Sequence, residues 1–310
     1  MLMRISVIAL NTYREAVRAR VLHGLFALAI ATAAYCLVVG EFALRSSMRV
    51  VSDLGAASVS MYAIVVAIVL GATSLYRELE LKTVFPILAR PIGRTEYLVG
   101  KYLGTLCTLA VFVFANAGVL LLALAAMSGR APAGVVGVLV GTIVVAGLAG
   151  WRLPRARTYV PIPWAAVVAF FGWVLAVDAP DDRRVVMGAA VLAMAEVGIV
   201  TAIATVFSSF SSPFLTAIFT FGVFIVGRSA DTLAHLPARL FGRIIHGAAV
   251  WLSKIVPNLM IYVPPRSLLT GEAAGASLVD YILLSTVHAL AWSVALLAVA
   301  SLIFRRRDFL

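Results

Sequence analysis

Long apolar stretches constrain the fold of this chain more than any other feature. A helix that crosses the roughly 30 Å hydrocarbon core of a bilayer needs about 20 mostly apolar residues. Segments that meet or approach this length are 21–40, 54–75, 102–127, 134–150, 160–177, 185–207, 212–228 and 281–303. The sequence therefore predicts an all-α polytopic membrane protein, one domain over 1–310, with about eight transmembrane helices. Because 134–150 and 160–177 are short, a six-span alternative, in which 134–177 is a tilted or re-entrant hairpin, stays open.

The composition excludes two other classes of protein. Hydrophobic residues make up 63% of the chain and charged residues 13%, whereas soluble domains have roughly 45–50% and about 25%. Such a chain has too few polar residues to cover a water-soluble enzyme and is too apolar to be disordered. Cys36 and Cys107 lie in apolar runs, so nothing indicates a disulfide framework or a cysteine metal site.

The distribution of positive charge predicts the orientation. The net charge of +11 would suggest nucleic acid as the partner of a soluble chain, but here it sets topology and we expect no nucleic-acid partner. With the N-terminus inside, 15 basic residues lie in inside segments and five in the short outside loops. The positive-inside rule therefore places both termini in the cytoplasm.

Two segments outside the spans have helical periodicity. In residues 1–20, apolar residues recur at helical spacing and polar or charged residues lie on the other side, which predicts an amphipathic helix along the membrane surface; an ordinary basic flank is the alternative. In the outside segment 229–280, apolar residues recur at steps of three and four, which predicts an amphipathic helix ended by Pro257. That helix either covers a substrate exit or serves as an interfacial anchor.

The loop 76–101 holds the densest mixture of charges in the chain. Pro86 and Pro91 limit regular helix there to a short stretch over 77–85. A stiff, charged loop of this kind could be the binding site of a peripheral protein. The alternative is a solvated loop whose charges only set the membrane topology. The ionisable residues of this loop are Arg77, Glu78, Glu80, Lys82, Arg90, Arg94, Glu96 and Lys101.

Motifs for catalysis or nucleotide binding are absent from the sequence. There is no phosphate loop, no His-Glu-x-x-His, no Cys-x-x-Cys and no Gly-x-Ser-x-Gly, so we assign no catalytic or metal-binding residue and no cofactor to this chain. The acidic group Asp178, Asp181 and Asp182 is interpreted as a solvated turn. The pair Gly137 and Gly141 permits a close helix contact without specifying a partner.

Glu196 is the most unusual residue within a predicted span. A carboxylate near the middle of 185–207 is costly, so it is protonated, paired or facing a wet cavity. A functional intramembrane carboxylate and a buried hydrogen bond to a neighbouring helix are both open. Asn116 and His288 fit interhelical hydrogen bonds better than ligands.

Four parts of the sequence are similar to the type-two, export-type permeases of ATP-binding cassette transporters. The most specific part is the loop after the second span, over Arg77-Glu78-Leu-Glu80-Leu-Lys-Thr83 and Leu88-Ala-Arg90-Pro91-Ile-Gly-Arg94-Thr-Glu96-Tyr-Leu-Val-Gly100-Lys101. The other parts are Asn11-Thr-Tyr-Arg-Glu15-Ala-Val-Arg18, Val256-Pro257-Asn258-Leu259 and Phe304-Arg-Arg-Arg-Asp308. Such permeases usually have six spans, so 134–177 resembles an added pair.

The resemblance implies a multi-pass subunit of the bacterial inner membrane. It would form a dimer with a second copy or a paralogue and bind a separate ATPase subunit, which would hold ATP and Mg²⁺. The loop over 76–92 would be the coupling helix, 1–20 a connecting helix and 231–256 outer elements near the exit. The resemblance implies ATPase coupling by Arg77, Glu78, Glu80, Lys82, Thr83, Arg90 and Arg94. Glu196 matches no motif of the family.

The sequence thus favours a permease that is not itself an enzyme and that moves a substrate outward by alternating access. A secondary transporter is the first alternative, and its expected marks are a tandem repeat and several intramembrane ionisable groups. A polytopic lipid-modifying enzyme is the second, and it predicts carboxylates clustered at one interface.

Overall fold

The computed structural model describes residues 2–43, 46–80, 93–272 and 277–306. This part of the chain is 88% helical and has no strands, which confirms the all-α prediction. Its helices are α1 Leu2–Val17, α2 Arg20–Phe42, α3 Ser47–Glu80, α4 Arg94–Met127, α5 Pro132–Arg152, α6 Pro161–Leu175, α7 Pro180–Ser208, α8 Pro213–Arg228, α9 Ala230–Ala234, α10 Ala238–Ile255, α11 Arg266–Thr270 and α12 Leu278–Arg306. Short 3₁₀ helices occur at Arg157–Tyr159, Ala176–Asp178 and Met260–Tyr262.

Seven helical segments of the described chain are long and apolar enough to cross a bilayer. They include both halves of the predicted hairpin, as Pro132–Arg152 and Arg157–Asp178, so both are long enough to cross; that they do so, rather than forming a re-entrant hairpin, stays a prediction. The predicted span 212–228 forms α8, which has only 16 residues. At 1.5 Å per residue α8 is about 24 Å long, shorter than the roughly 30 Å hydrocarbon core. The described part therefore holds seven helical segments long enough to span the bilayer and one shorter apolar helix.

The helices α3, α4 and α7 form the centre of the bundle. They bury 56%, 67% and 72% of their most apolar windows, whereas α2 and α5 bury 11% each. In lipid, the exposed apolar side chains of α2 and α5 carry no hydrophobic penalty, because lipid tails are equally apolar.

A close contact joins α4 to α6. A Cβ on Gly118 of α4 would lie 2.6 Å from the backbone nitrogen of Ala169, and one on Gly172 would lie 2.7 Å from the carbonyl oxygen of Gly118. By contrast, Cβ atoms on Gly137 and Gly141 of α5 would have no described atom within 4 Å. The close helix contact that the spacing of those two glycines permits is not made within the described chain.

Helix α1 packs across the start of α4. A Cβ on Gly104 would clash with the Ala9 carbonyl oxygen, and one on Gly100 would lie 2.7 Å from the Ile8 side chain. The ring of Tyr13 stacks on Tyr159 at 6.1 Å, so the loop before α6 lies beside α1. We call this the inner end of the bundle and the opposite end the outer end. That the inner end faces the cytoplasm stays a prediction.

Both predicted amphipathic helices are present. In α1, Tyr13 is buried while Val7 and Leu10 are exposed. In α10, Ile244 and Trp251 are exposed on one face, and the helix has a kink at Gly242, whose φ is +82°. Both helices therefore present apolar residues that a lipid interface would cover.

Candidate functional site

The predicted coupling residues lie around the gap between α3 and α4. Arg77, Glu78 and Glu80 lie in the last turns of α3, and Arg94 begins α4. The remaining predicted members, Lys82, Thr83 and Arg90, lie outside the described residues. The described structure therefore supplies the two helix ends on which the loop is built.

Side-chain contacts fix these two helix ends to each other and to α12. Lys101 of α4 is 4% exposed, and its Nζ donates to the Ser74 carbonyl of α3 at 2.6 Å. Arg94 Nη1 donates to the Phe304 carbonyl of α12 at 3.3 Å, and Tyr97 stacks on the Phe304 ring at 6.3 Å. The start of α4 is thus held between α3 and α12.

Glu196 of α7 forms a buried ion pair with Arg228, the last residue of α8. The carboxylate has no exposed surface. Arg228 Nε donates to Oε1 at 2.7 Å and Nη2 donates to Oε2 at 2.8 Å, which is the two-pronged geometry that stabilises arginine–carboxylate pairs most. Of the states expected for Glu196, the structure selects the paired one.

Two further side chains complete this cluster. Ser60 of α3 donates to Glu196 Oε2 at 3.5 Å and accepts from Arg228 Nη2 at 3.4 Å. The Phe224 ring lies 5.6 Å from the Arg228 Cζ, a position that favours a cation over its face. The cluster therefore joins α3, α7 and α8 at one depth. The sequence reasoning did not identify Arg228, because it stands at the edge of a predicted span where a basic residue normally reaches water.

A second arginine cluster lies nearer the outer end. Arg266 of α11 pairs with Asp53 of α3 and, at 2.6 Å, with Asp182 of α7. Ser52 donates to Asp182 Oδ1 at 2.7 Å and accepts from Arg266 at 3.0 Å. Burial alone would lower the pKa of Arg266, but its hydrogen bonds to Asp182 and Asp53 raise the pKa above its ordinary value. The guanidinium is therefore charged at every accessible pH.

This cluster corrects one interpretation of the sequence. Asp182 was expected in a solvated turn, yet its side chain is 15% exposed and pairs with Arg266. Asp178 is exposed and pairs with Arg130 at 2.9 Å. Asp182 thus joins α7 to α3 and α11, because α3 and α11 bring two hydrogen-bonding partners to the start of α7.

A cavity of about 780 Å³ extends between the two clusters. Asp53 and Arg266 line it near the outer end, and Ser60 and Arg228 line it at depth. Glu196 lies 14 residues after Asp182 in α7, which is about 21 Å along the helix. The remaining wall is mostly apolar and consists of Ala56, Ala57, Met61, Val185, Ala189, Phe224, Met260, Tyr262, Val263, Pro264 and Leu269. The cavity thus combines apolar walls with fixed guanidinium groups.

The segment after α8 forms the outer wall of this cavity. Leu259 is fully buried and its backbone N–H donates to the Gly227 carbonyl at 3.0 Å. Asn258 donates to Asp231 at 2.7 Å and accepts from the Met260 N–H. These contacts hold the Val256–Leu259 stretch against the end of α8, so the segment dips into the bundle rather than lying only on its surface.

Tyr262 fixes the same segment to α12. Its hydroxyl donates to the Ser285 carbonyl at 3.2 Å and lies 2.9 Å from His288 Nδ1. Desolvation by burial, followed by the charge of Glu196 and by Tyr281, raises the pKa of Tyr262 well above its usual range. The hydroxyl therefore stays protonated and remains a donor, and the expectation that His288 makes an interhelical hydrogen bond fits this geometry.

Comparison with known proteins does not assign this chain to a family. The sequence matches none of the protein-family models scanned, and no curated protein is significantly similar to it. Within the described ranges, no three His, Cys, Asp or Glu side chains lie close enough to hold a metal ion. The described side chains hold α3, α7, α8 and α11 together through two ion-pair clusters. They also offer guanidinium donors at both ends of an apolar cavity.

Proposed function

We propose that this chain is the membrane subunit of an ATP-driven exporter of the bacterial inner membrane, with both termini cytoplasmic. It would work as a dimer with a second copy or a paralogue, and would bind a separate ATPase subunit that holds ATP and Mg²⁺. The observation that carries the proposal is the continuity of α3 between the predicted coupling loop and the outer cavity. The resemblance of that loop to type-two permeases supports the choice of partner.

Helix α3 contributes side chains or carbonyl groups to both ion-pair clusters and to the Lys101 contact. Its 34 residues extend for about 51 Å. They carry Asp53 in the outer cluster, Ser60 in the buried cluster and Ser74 beneath Lys101. A displacement of the loop after Glu80 would therefore move one wall of the cavity, because a packed helix transmits force as a rigid element.

Helix α4 would receive the same displacement. Its first turns are fixed to α3 by Lys101 and to α12 by Arg94. ATP-driven closure of two partner subunits would draw the loops of two permease chains together and shift the balance between two arrangements of the cavity. Alternating access then follows from the different stability of the two arrangements when ATP is bound.

The test is purification of the tagged chain from its native membrane in mild detergent. Co-purifying chains are identified by mass spectrometry and ATP hydrolysis is assayed. We expect a stoichiometric phosphate-loop ATPase with the wild type and its loss with Glu78→Lys plus Glu80→Lys. The matched control is Glu41→Lys, which reverses an exposed charge at the other end of the bundle and should leave the complex intact.

Two results would contradict the proposal. One is retention of the ATPase, with normal hydrolysis, by the doubly reversed variant, which would exclude the coupling role of the loop. The other is a clean wild-type preparation with no ATPase at all. That result would favour a secondary transporter or a membrane enzyme, and Glu196 would then be the first residue to replace.

A further inference from the structure

The groove between α5 and α6 takes no part in the coupling just proposed. It has a volume of about 760 Å³. Its walls are apolar residues of both helices, and one end is closed by the loop before α6. The residues that the argument uses are Gly141 and Val145 on α5, Trp164 and Phe171 on α6, and Leu153 and Tyr159 at the closed end.

Helix α5 packs too loosely to fill this groove with its own side chains. A Cβ on Gly141 would meet no described atom within 4 Å. Val145, although it lines the groove, is 67% exposed. Protein interiors and lipid-embedded surfaces do not keep voids of this size, because the atoms on both walls would lose their dispersion contacts. A flexible apolar chain is therefore the occupant that fits the walls.

The closed end of the groove is strongly basic. The loop over 151–159 contains Arg152, Arg155 and Arg157 and no acidic residue. All three arginines are exposed, and none forms a salt bridge with any residue of the described chain. Arg14 of α1 adds a fourth cation nearby, with its Cζ 6.0 Å from the Tyr159 ring. An anion at this end would meet several uncompensated guanidinium groups.

We propose that the groove and the loop 151–159 together bind one anionic phospholipid. An acyl chain would lie between α5 and α6, and the headgroup phosphate would accept hydrogen bonds from Arg152, Arg155 and Arg157. Basic pockets between transmembrane helices bind anionic headgroups in this way, and arginine forms paired hydrogen bonds with phosphate oxygens. The lipid would supply the contacts that α5 lacks within the protein and so hold the hairpin against α4.

The test uses Trp164 as a reporter inside the groove. In the full chain, the other tryptophans are replaced by Phe, and the protein is titrated with phospholipids brominated on their acyl chains, which quench nearby indole fluorescence. We expect brominated phosphatidylglycerol to quench Trp164 at a lower mole fraction than brominated phosphatidylcholine. Replacing Arg152, Arg155 and Arg157 by Gln should remove that preference, roughly fivefold for each arginine. High salt should weaken the preference as well.

A pair of matched glycine variants tests the acyl-chain part of the site. Gly141→Leu adds a side chain at a position that lines the groove and where a Cβ meets no described atom, whereas Gly147→Leu adds the same volume at an equally open position that does not line the groove. We expect Gly141→Leu to reduce quenching by both lipids and Gly147→Leu to leave it unchanged. Thermal unfolding of each variant establishes that its fold is intact.

Three outcomes would overturn the proposal. Equal quenching of the wild type by both lipids would mean ordinary boundary lipid rather than a site. Unchanged quenching in Gly141→Leu would place the lipid elsewhere. Efficient disulfide cross-linking between two copies carrying Val145→Cys, together with weak quenching of Trp164, would assign the groove to a second copy of the chain.

Discussion

Arg228 and Glu196 are joined by two parallel hydrogen bonds, of 2.7 Å between Nε and Oε1 and of 2.8 Å between Nη2 and Oε2. The contact fixes the C-terminal end of α8 to the middle of α7. Because Glu196 lies in the middle of a helix long enough to span the bilayer, the terminal charge of α8 lies at a depth where an unpaired ion is costly. Pairing with Glu196 offsets the cost of ending α8 with a charged residue at that depth.

Replacing Glu196 by Gln should therefore destabilise the protein strongly. The substitution keeps the shape of the side chain but leaves the charge of Arg228 uncompensated, and breaking a buried pair in this way costs about 3–5 kcal/mol. The measurement is thermal unfolding in detergent, followed as loss of the monodisperse species. Glu41→Gln, at an exposed position, is the control and should leave the unfolding temperature unchanged.

A double variant separates the charge from the packing. Glu196→Gln combined with Arg228→Gln removes both ions, so we expect it to recover much of the stability that the single variant loses. If the double variant were as unstable as the sum of the two single variants, Glu196 and Arg228 would not be coupled and the importance assigned to their contact would be wrong.

Replacing Arg266 by Gln should loosen the outer ends of α3 and α7. The guanidinium hydrogen-bonds to Asp53, Asp182 and Ser52, and hydrogen bonds to charged groups contribute about 1.5–3 kcal/mol each. Hydrogen–deuterium exchange of the first turns of α3 should increase, while exchange around Ser74 stays slow. Arg239→Gln, an exposed arginine of α10, should change neither. Unaltered exchange in Arg266→Gln would contradict the role of the cluster.

The sequence predicted the helices well because membrane burial depends on length and apolar content. The predicted spans 54–75 and 102–127 are the apolar parts of α3 and α4, which extend to Ser47–Glu80 and Arg94–Met127. Hydropathy marks only the part of a helix that lies in lipid, so the polar turns beyond it were not assigned. The same reasoning counted 212–228 as a full span, although a stretch of that length is at the lower limit.

Of the two ion-pair clusters around the cavity, the sequence indicated Glu196 but not the arginines that pair with the carboxylates. The sequence singles out Glu196 because a carboxylate within an apolar stretch has a high free-energy cost in the membrane, so a partner or a function is expected for it. Its partner Arg228 carries no such signal at the end of a span. Arg266 lies 84 residues from Asp182 and 213 from Asp53, and nothing local in the sequence specifies a pairing of that kind. Such contacts are decided by which helices pack together.

The contact between α4 and α6 should be intolerant of any side chain at Gly118. A Cβ there would lie 2.6 Å from the Ala169 nitrogen and 2.7 Å from the Val168 carbonyl carbon. These are backbone atoms that cannot rotate away, so Gly118→Val should cost about 3 kcal/mol or more and lower the unfolding temperature. Gly137→Val, at an open position on the neighbouring α5, should have little effect. Equal unfolding temperatures for the two variants would contradict the described crossing.

The docking of α1 can be tested at Gly104 by limited proteolysis. A Cβ on Gly104 would clash with the Ala9 carbonyl oxygen, so Gly104→Val should push α1 away from α4 and expose Tyr13, which is fully buried in the wild type. Trypsin should then cleave after Arg14 and Arg18 several times faster, because a helix of 16 residues that has lost its packing partner is only marginally stable in water. Gly24→Val, at an open position of α2 near the same end, should keep the wild-type cleavage rate. If Gly104→Val were cleaved no faster than Gly24→Val, α1 would not depend on this contact, and the contacts of Ile8 with Gly100 and of Tyr13 with Tyr159 would suffice to hold it.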